Sequence, residues 1–281
     1  MVKSCPSGDC EGEKLESNGG MRSYLRFTAC MSRSCAFFFL VCVLSAAGQQ
    51  PPPAPAVAGQ PVVDGAKQLA EAQQKLKKLS ATEYDLDGIR INAATREVRL
   101  PAQVCLKKAP IEYLLTTDTG KTHETVLTTT MKPTAIQVAL LLANYQPATE
   151  GLLKHVPEEE RPKIWKEEPP KDQGANRVKI EVEWKAGAEI KRAPLILMVQ
   201  NSDLRKPPSD LDTWIFNGSY IDERGFIAQH EGSVIAVWLD RGAILNSPAK
   251  GNWRDDLWIS LPENIPDEGT PVTVIITPAQ P

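Results

Sequence analysis

Apolar positions recur at three different spacings along this chain, and each spacing predicts a different kind of element. From Tyr84 the period is two. Ile89 and Ile91, then Val98 and Leu100, flank the polar stretch Asn92–Thr95 and predict a hairpin. Val104–Leu106 extends its second strand beyond Pro101, across a bulge or bend. Ile111–Thr117 and Thr125–Thr130 predict a second pair around the turn residues Asp118–Lys121. Val178, Ile180, Val182 and Trp184 alternate with Lys179, Glu181 and Glu183. Leu195–Val199 is an unbroken apolar run, the pattern of a strand buried on both faces, and Val272–Ile276 reads as another buried strand. Trp214–Phe216 precedes the turn signal Asn217-Gly218, and Phe226–Gln229 and Val234–Leu239 read as a pair around His230–Ser233.

Helical spacing occurs twice. Leu69, Ala72, Leu76 and Leu79 line one face of an amphipathic helix within 65–81. From Pro133 to Asn144 the chain is apolar almost all round, which predicts a central core helix laid across the sheet. Residues 147–176, rich in Pro, Glu and Lys, predict a surface excursion anchored by Trp165. Paired strands without repeated strand–helix alternation predict an α+β domain over 82–281. In it a mainly antiparallel sheet packs against one strongly apolar helix, preceded by the N-terminal amphipathic helix.

The third spacing is a short solid block. Ala36–Leu44 is apolar but far shorter than the ~20 residues that span a bilayer. Arg22, Arg26 and Arg33 precede it and Ser45-Ala46-Ala47 follows it. A basic flank, a short apolar run and a small-residue exit define a signal peptide ending near residue 47. Met21 or Met31 is the better start, because residues 1–20 are polar and acidic. Cys42 lacks the small residues of a lipidation site. A Pro/Ala-rich linker occupies 48–64.

Export changes the meaning of the composition. Five of the six cysteines lie before residue 48, leaving Cys105, which is read as a buried inert thiol in an apolar stretch. One thiol makes no internal disulfide and holds no iron–sulfur cluster. Removing the five cations and four anions before residue 48 leaves 27 Lys and Arg against 31 Asp and Glu. A mildly acidic domain carries no footprint for nucleic acid or anionic lipid, and no stable membrane span remains after cleavage. No cofactor is expected.

Candidate chemistry is sparse. His123, His155 and His230 are the only histidines, and His123-Glu124 and His230-Glu231 could contribute zinc ligands. The helical His-Glu-x-x-His spacing is absent, and neighbours on a strand point to opposite faces. Ser219 and Ser233 are isolated serines outside any nucleophile elbow, and turn formation is the plainer reading of both. Asp255-Asp256 could meet calcium but lacks a binding-loop spacing. Trp214, Trp238, Trp253 and Trp258 could line a groove.

Several blocks occur together in order. They are Glu112–Leu115 with Gly120–Glu124 and Leu140–Leu142, Trp214–Ser219, Gly225–Ala228, Glu231–Ala236, Gly242–Asn246, Asp255–Trp258 and Gly269–Val272. Over residues 84–277 this chain resembles the YdjY-domain family of exported bacterial proteins. Some members are called ferredoxin-like, but the chain departs from that label, because no cysteine cluster survives export. The resemblance implies an exported domain of undefined activity and supplies no catalytic residues.

The expected function is therefore a non-enzymatic module of the cell envelope that binds an envelope protein or a small ligand. His123, Glu124, Ser219 and His230 are its candidate binding residues. The alternative is an envelope hydrolase or metal-dependent enzyme using His123, Glu124 and His230, which requires two distant segments to converge.

Overall fold

The computed structural model describes residues 71, 74–148, 151–165, 177–209 and 211–279. The expected signal peptide and linker lie outside them, as does most of the expected 65–81 helix. Its described end corrects that expectation: Lys75 is helical, but Leu76–Lys78 is a strand, β1. Leu76 pairs with Leu86 and packs on the core. A ladder of hydrogen bonds to the neighbouring strand decides the conformation there, against the helical spacing of the leucines.

β1 runs antiparallel to β2 (Glu83–Leu86), and β2 to β3 (Ile89–Asn92). The expected first hairpin follows, with β3 paired to β4 (Glu97–Val104) through Arg90↔Arg99 and Ile91↔Val98. β4 runs straight through Pro101. The Val104 amide donates to Thr270, so the alternate position 101 has its nitrogen on the other edge. There β3 pairing has ended at Arg99 and pairing to the next strand starts only at Gln103. Proline costs nothing where no ladder bond is required. The Thr129 hydroxyl donates to the Pro101 carbonyl at 2.7 Å and closes this fork.

β5 (Tyr113–Thr117) and β6 (Thr125–Thr129) are neighbours, as expected, but parallel, with Tyr113↔Thr125 and Leu115↔Leu127 in register. The chain returns along β5 through residues 118–124, including a 3-10 turn at Thr122–Glu124. Seven residues reach about 25 Å when extended, enough to retrace a five-residue strand.

Helix α1 (Pro133–Leu142) follows, then the short α2 (Arg161–Ile164). Within the excursion, Leu152, Val156 and Trp165 form a small core with Ile215 and Leu239. The Arg241 guanidinium stacks on Trp165 and on Tyr220, 5.2 and 4.4 Å from the ring centres. β7 (Arg177–Ala186) turns into β8 (Glu189–Pro194). The expected buried strand at 195–199 is a 3-10 turn over Leu195–Met198, leading into β9 (Val199–Asn201). β10 (Trp214–Phe216), β11 (Ile221–Asp222) and β12 (Gly225–Phe226) come next. Ile227–Glu231 is then a short helix, α3, where a strand was expected, so Phe226–Gln229 and Val234–Leu239 form no hairpin. β13 (Ser233–Ala236), β14 (Leu245–Asn246), β15 (Trp258–Ser260) and β16 (Pro271–Pro278) complete the chain.

These strands overturn the expected class. Eight of them close a barrel in the order β4–β16–β7–β10–β14–β13–β5–β6, with β6 returning to β4 through Gln103↔Thr128 and Val104↔Leu127. The protein is mostly β, with three short helices in the described residues, and is not an α+β sheet backed by a helix. A sheet closed on itself buries its apolar face internally and has no need of a helical layer. α1 instead lies beside the barrel against β3 and α3. Its last turn reaches solvent, with Leu141 and Leu142 40% and 44% exposed. The core runs through Leu100, Leu114, Leu127, Val182, Phe216, Ile235, Val274 and Ile276.

Candidate functional site

The densest convergence of polar side chains lies outside β5, under the segment that joins β13 to β14. Tyr113, at the start of β5, is fully buried with Ala236 and Ala243. Its hydroxyl donates to Asp240 Oδ2 at 2.9 Å and accepts from Lys121 Nζ at 2.6 Å. The Lys121 ammonium also sits 4.7 Å from the centre of the same ring. Burial, then the adjacent Asp240 charge, push the Tyr113 phenol far above its ordinary range, so it remains a donor at any physiological pH.

Asp240 is held by its own loop. Its Oδ1 accepts the Gly242 amide at 2.7 Å, and its amide donates to Asn246 Oδ1 at 2.9 Å. The Asn246 amide group donates to the Asp240 carbonyl and to Asn217 Oδ1, at 2.8 and 2.7 Å. Asn217 in turn donates to the Ala243 carbonyl at 2.9 Å. Both asparagines are buried, and their side chains replace ladder bonds that a two-residue strand such as β14 cannot make alone.

Around this chain of bonds lies negative charge. Glu112 is half-buried beside Lys121, with Glu124, Asp255 and Asp240 in range. Desolvation, then the Glu124 charge, raise its pKa above the ordinary 4.5. Chemically the assembly is a phenol, an ammonium and a carboxylate locked to one another, with a rim of carboxylates. It can hold a loop and present a charged rim. Its phenol is too buried to meet a substrate.

The sequence-chosen residues fall around this assembly. His123 and Glu124 share the 3-10 turn next to Lys121. The imidazole is 79% exposed and 3.8 Å from the Glu124 carboxylate. Ser219 lies on the opposite side of the loop, where its hydroxyl donates to the Gly242 carbonyl at 2.6 Å and accepts the Ala228 amide at 3.1 Å. It therefore fastens the 240s loop and satisfies a first-turn amide of α3. His230 is exposed on α3. Ser219 and the 240s loop are thus brought together. Among the described residues no three His, Cys, Asp or Glu side chains gather in a metal-binding group.

Ser233 is buried on β13. Trp214 and Trp258 are core residues, whereas Trp238 and Trp253 are half-buried, and the Trp238 indole donates to the Trp253 carbonyl at 3.2 Å. Asp256 is exposed and paired with Arg254 at 2.9 Å. Cys105 is partly buried, its thiol raised first by desolvation and then by Glu268, which suits the inert role. Tyr113, Lys121, Asp240, Asn217 and Asn246 were missed. A signal was present: Asn217 and Asn246 each follow an apolar residue that had to be buried, Phe216 and Leu245. Among the described residues no helix is long and apolar enough to cross a membrane.

Neither a curated protein nor a solved structure matches the chain. One family description does, the YdjY domain, over residues 89–277. That span runs from the β3–β4 hairpin through all eight barrel strands to Thr277 of β16, and includes Tyr113, Asp240 and both asparagines. The chain belongs to the YdjY-domain family.

Proposed function

We propose that the chain is an exported domain of the cell envelope that binds a partner without transforming it. The observation that carries this reading is the saturation of the converging polar groups. Tyr113, Asp240, Asn217, Asn246 and Ser219 spend their hydrogen bonds on one another and on the backbone of the 240s loop. Groups committed in this way brace the 240s loop as a rigid platform. The export part rests on the basic flank, short apolar block and small-residue exit of residues 22–47.

The test is made on the full chain in its own cells. Photo-cross-linking side chains are placed one at a time at exposed positions, among them His123, Leu204, Ile221 and His230. The expected outcome is an envelope-fraction protein cleaved near Ala47, with one saturable adduct of fixed mass from some of these positions. A full-length chain retained in the cytoplasm would sink export. A small molecule consumed over many turnovers, with loss in Ser219→Ala or His123→Ala, would sink the binding reading.

A further inference from the structure

The β7–β8 hairpin leaves one edge of the barrel sheet open. Its register runs from Ala186↔Glu189 to Glu181↔Pro194 around the two-residue loop Gly187-Ala188. In such a hairpin the residues flanking the loop exchange hydrogen bonds, and the pattern alternates from there. Glu189, Lys191 and Ala193 are therefore bonded to β7. Ile190, Arg192 and Pro194 turn their backbone groups away from it. Among the described residues no strand lies beyond them, so the N–H and carbonyl groups of Ile190 and Arg192 face outward, while the Pro194 carbonyl caps the 3-10 turn over Leu195–Met198.

The side chains along this edge are equally uncovered. Ile190 is 73% exposed, beyond any other large apolar side chain in the described residues. Arg192 is neutralised by Glu181 at 2.6 Å. Lys185 and Lys191 are exposed and make no ion pair among the described residues, leaving an excess of positive charge over Glu189. Charges and a proline also discourage unwanted pairing along an edge. Pro194 does limit the ladder here, but it stops growth at one end and leaves Ile190 and Arg192 open.

We propose that β8 is a docking edge that accepts an extended, acidic segment of an envelope partner as an added strand. The proposal rests on the partner-binding reading above and names the chemistry of the partner. The added strand donates to and accepts from the backbone at Ile190 and Arg192. An apolar side chain beside Ile190 covers it on one face. The next residue falls beside Lys191 on the opposite face, where Asp or Glu is favoured. A second copy of this chain fits less well. The self-pairings centred on Lys191 or on Arg192 place like charges opposite each other. The one centred on Ile190 leaves too short a ladder to bury what a stable dimer needs.

The test uses the full chain and two synthetic peptides. One is the acidic Thr-Val-Asp-Val-Glu-Val-Thr, and the other has lysines in place of both acids. Binding is read by fluorescence anisotropy, and amide hydrogen exchange is followed with and without peptide. The acidic peptide is expected to bind at least about tenfold more tightly than the basic one and to slow exchange at Ile190 and Arg192. Ile190→Pro, which removes an outward N–H, should weaken binding about tenfold or more. Lys191→Glu leaves the backbone edge intact and should reverse the peptide preference, which covers the case in which the proline variant does not fold. Equal affinity for both peptides, binding without protection at Ile190 and Arg192, or protection there that grows with protein concentration alone would each overturn the proposal. Cross-linked adducts from other surfaces with β8 silent would leave the binding reading standing and remove this one.

Discussion

The hydroxyl of Tyr113 donates to the carboxylate of Asp240 at 2.9 Å across 127 positions of sequence, with no water-accessible surface left on the tyrosine. This bond ties the loop between β13 and β14 to the outside of β5. Tyr113→Phe keeps the ring, and therefore the packing and the Lys121 contact with its face, but removes the hydroxyl that bridges ammonium and carboxylate. A charged acceptor loses a buried donor, at a cost of about 1–3 kcal/mol. Chemical denaturation should show a lower midpoint with an unchanged slope.

Asn246 carries more of the same loop. It gives two bonds and receives one, all within the buried network of Asp240 and Asn217. Asn246→Ala leaves the Asp240 amide and Asn217 Oδ1 without this partner, while the Asp240 carbonyl keeps the Ala243 amide at 3.2 Å, and it opens a small void. The expected loss is about 3 kcal/mol or more, larger than for Tyr113→Phe. Thermal unfolding of the two variants and of the double variant checks this ranking. Because the residues share one network, the losses should fall short of additive.

Two glycines with similar backbone angles should respond differently to alanine. Gly232 has φ 75°, and a Cβ there would meet the backbone Cα of Gly120 at 2.8 Å and clash with the Thr117 hydroxyl. Gly187 has φ 64°, with nothing within 4 Å of a built Cβ. Gly187→Ala should cost only the left-handed strain of about 1 kcal/mol. Gly232→Ala adds a collision with backbone that cannot move cheaply, and should cost several times as much, read as a fall in Tm.

Glu112 makes stability depend on pH. Its folded pKa lies above the ordinary 4.5 because burial and then the Glu124 charge oppose its ionisation. A group of this kind penalises the folded state once ionised. The penalty is full above the folded pKa and vanishes as pH falls below 4.5. Glu112→Gln should therefore raise the unfolding midpoint at pH 7, and the gain should shrink to nothing in acid. A gain that persists at pH 3 would contradict it.

Much of this protein was legible in one dimension. The alternation around Ile89–Leu100 determined a hairpin, because side chains two apart share a face of a strand and only one face is buried. The alternating Val178–Trp184 determined a strand for the same reason, and the β-branched, largely apolar Val272–Ile276 a buried one. The ordered blocks from Glu112 to Val272 carried the family. Ser219 was chosen both as a turn former and as a candidate binding residue, and its bonds to the Gly242 carbonyl and the Ala228 amide fasten the 240s loop to α3.

What only the tertiary structure decided was closure. Whether a set of strands stays open under a helix or joins edge to edge depends on bonds between β4 and β6 at Gln103 and Val104, and no local pattern encodes a pairing between strands so placed. Once the barrel closed, the apolar helix at Pro133 lost its role as a lid, and the parallel return of β6 beside β5 became possible. The polar network had the same origin. Tyr113, Asn217 and the Asp240–Asn246 pair come from three separate segments, and each looks ordinary alone. Their hydrogen bonds acquire value only where the fold excludes water and leaves them no other partner.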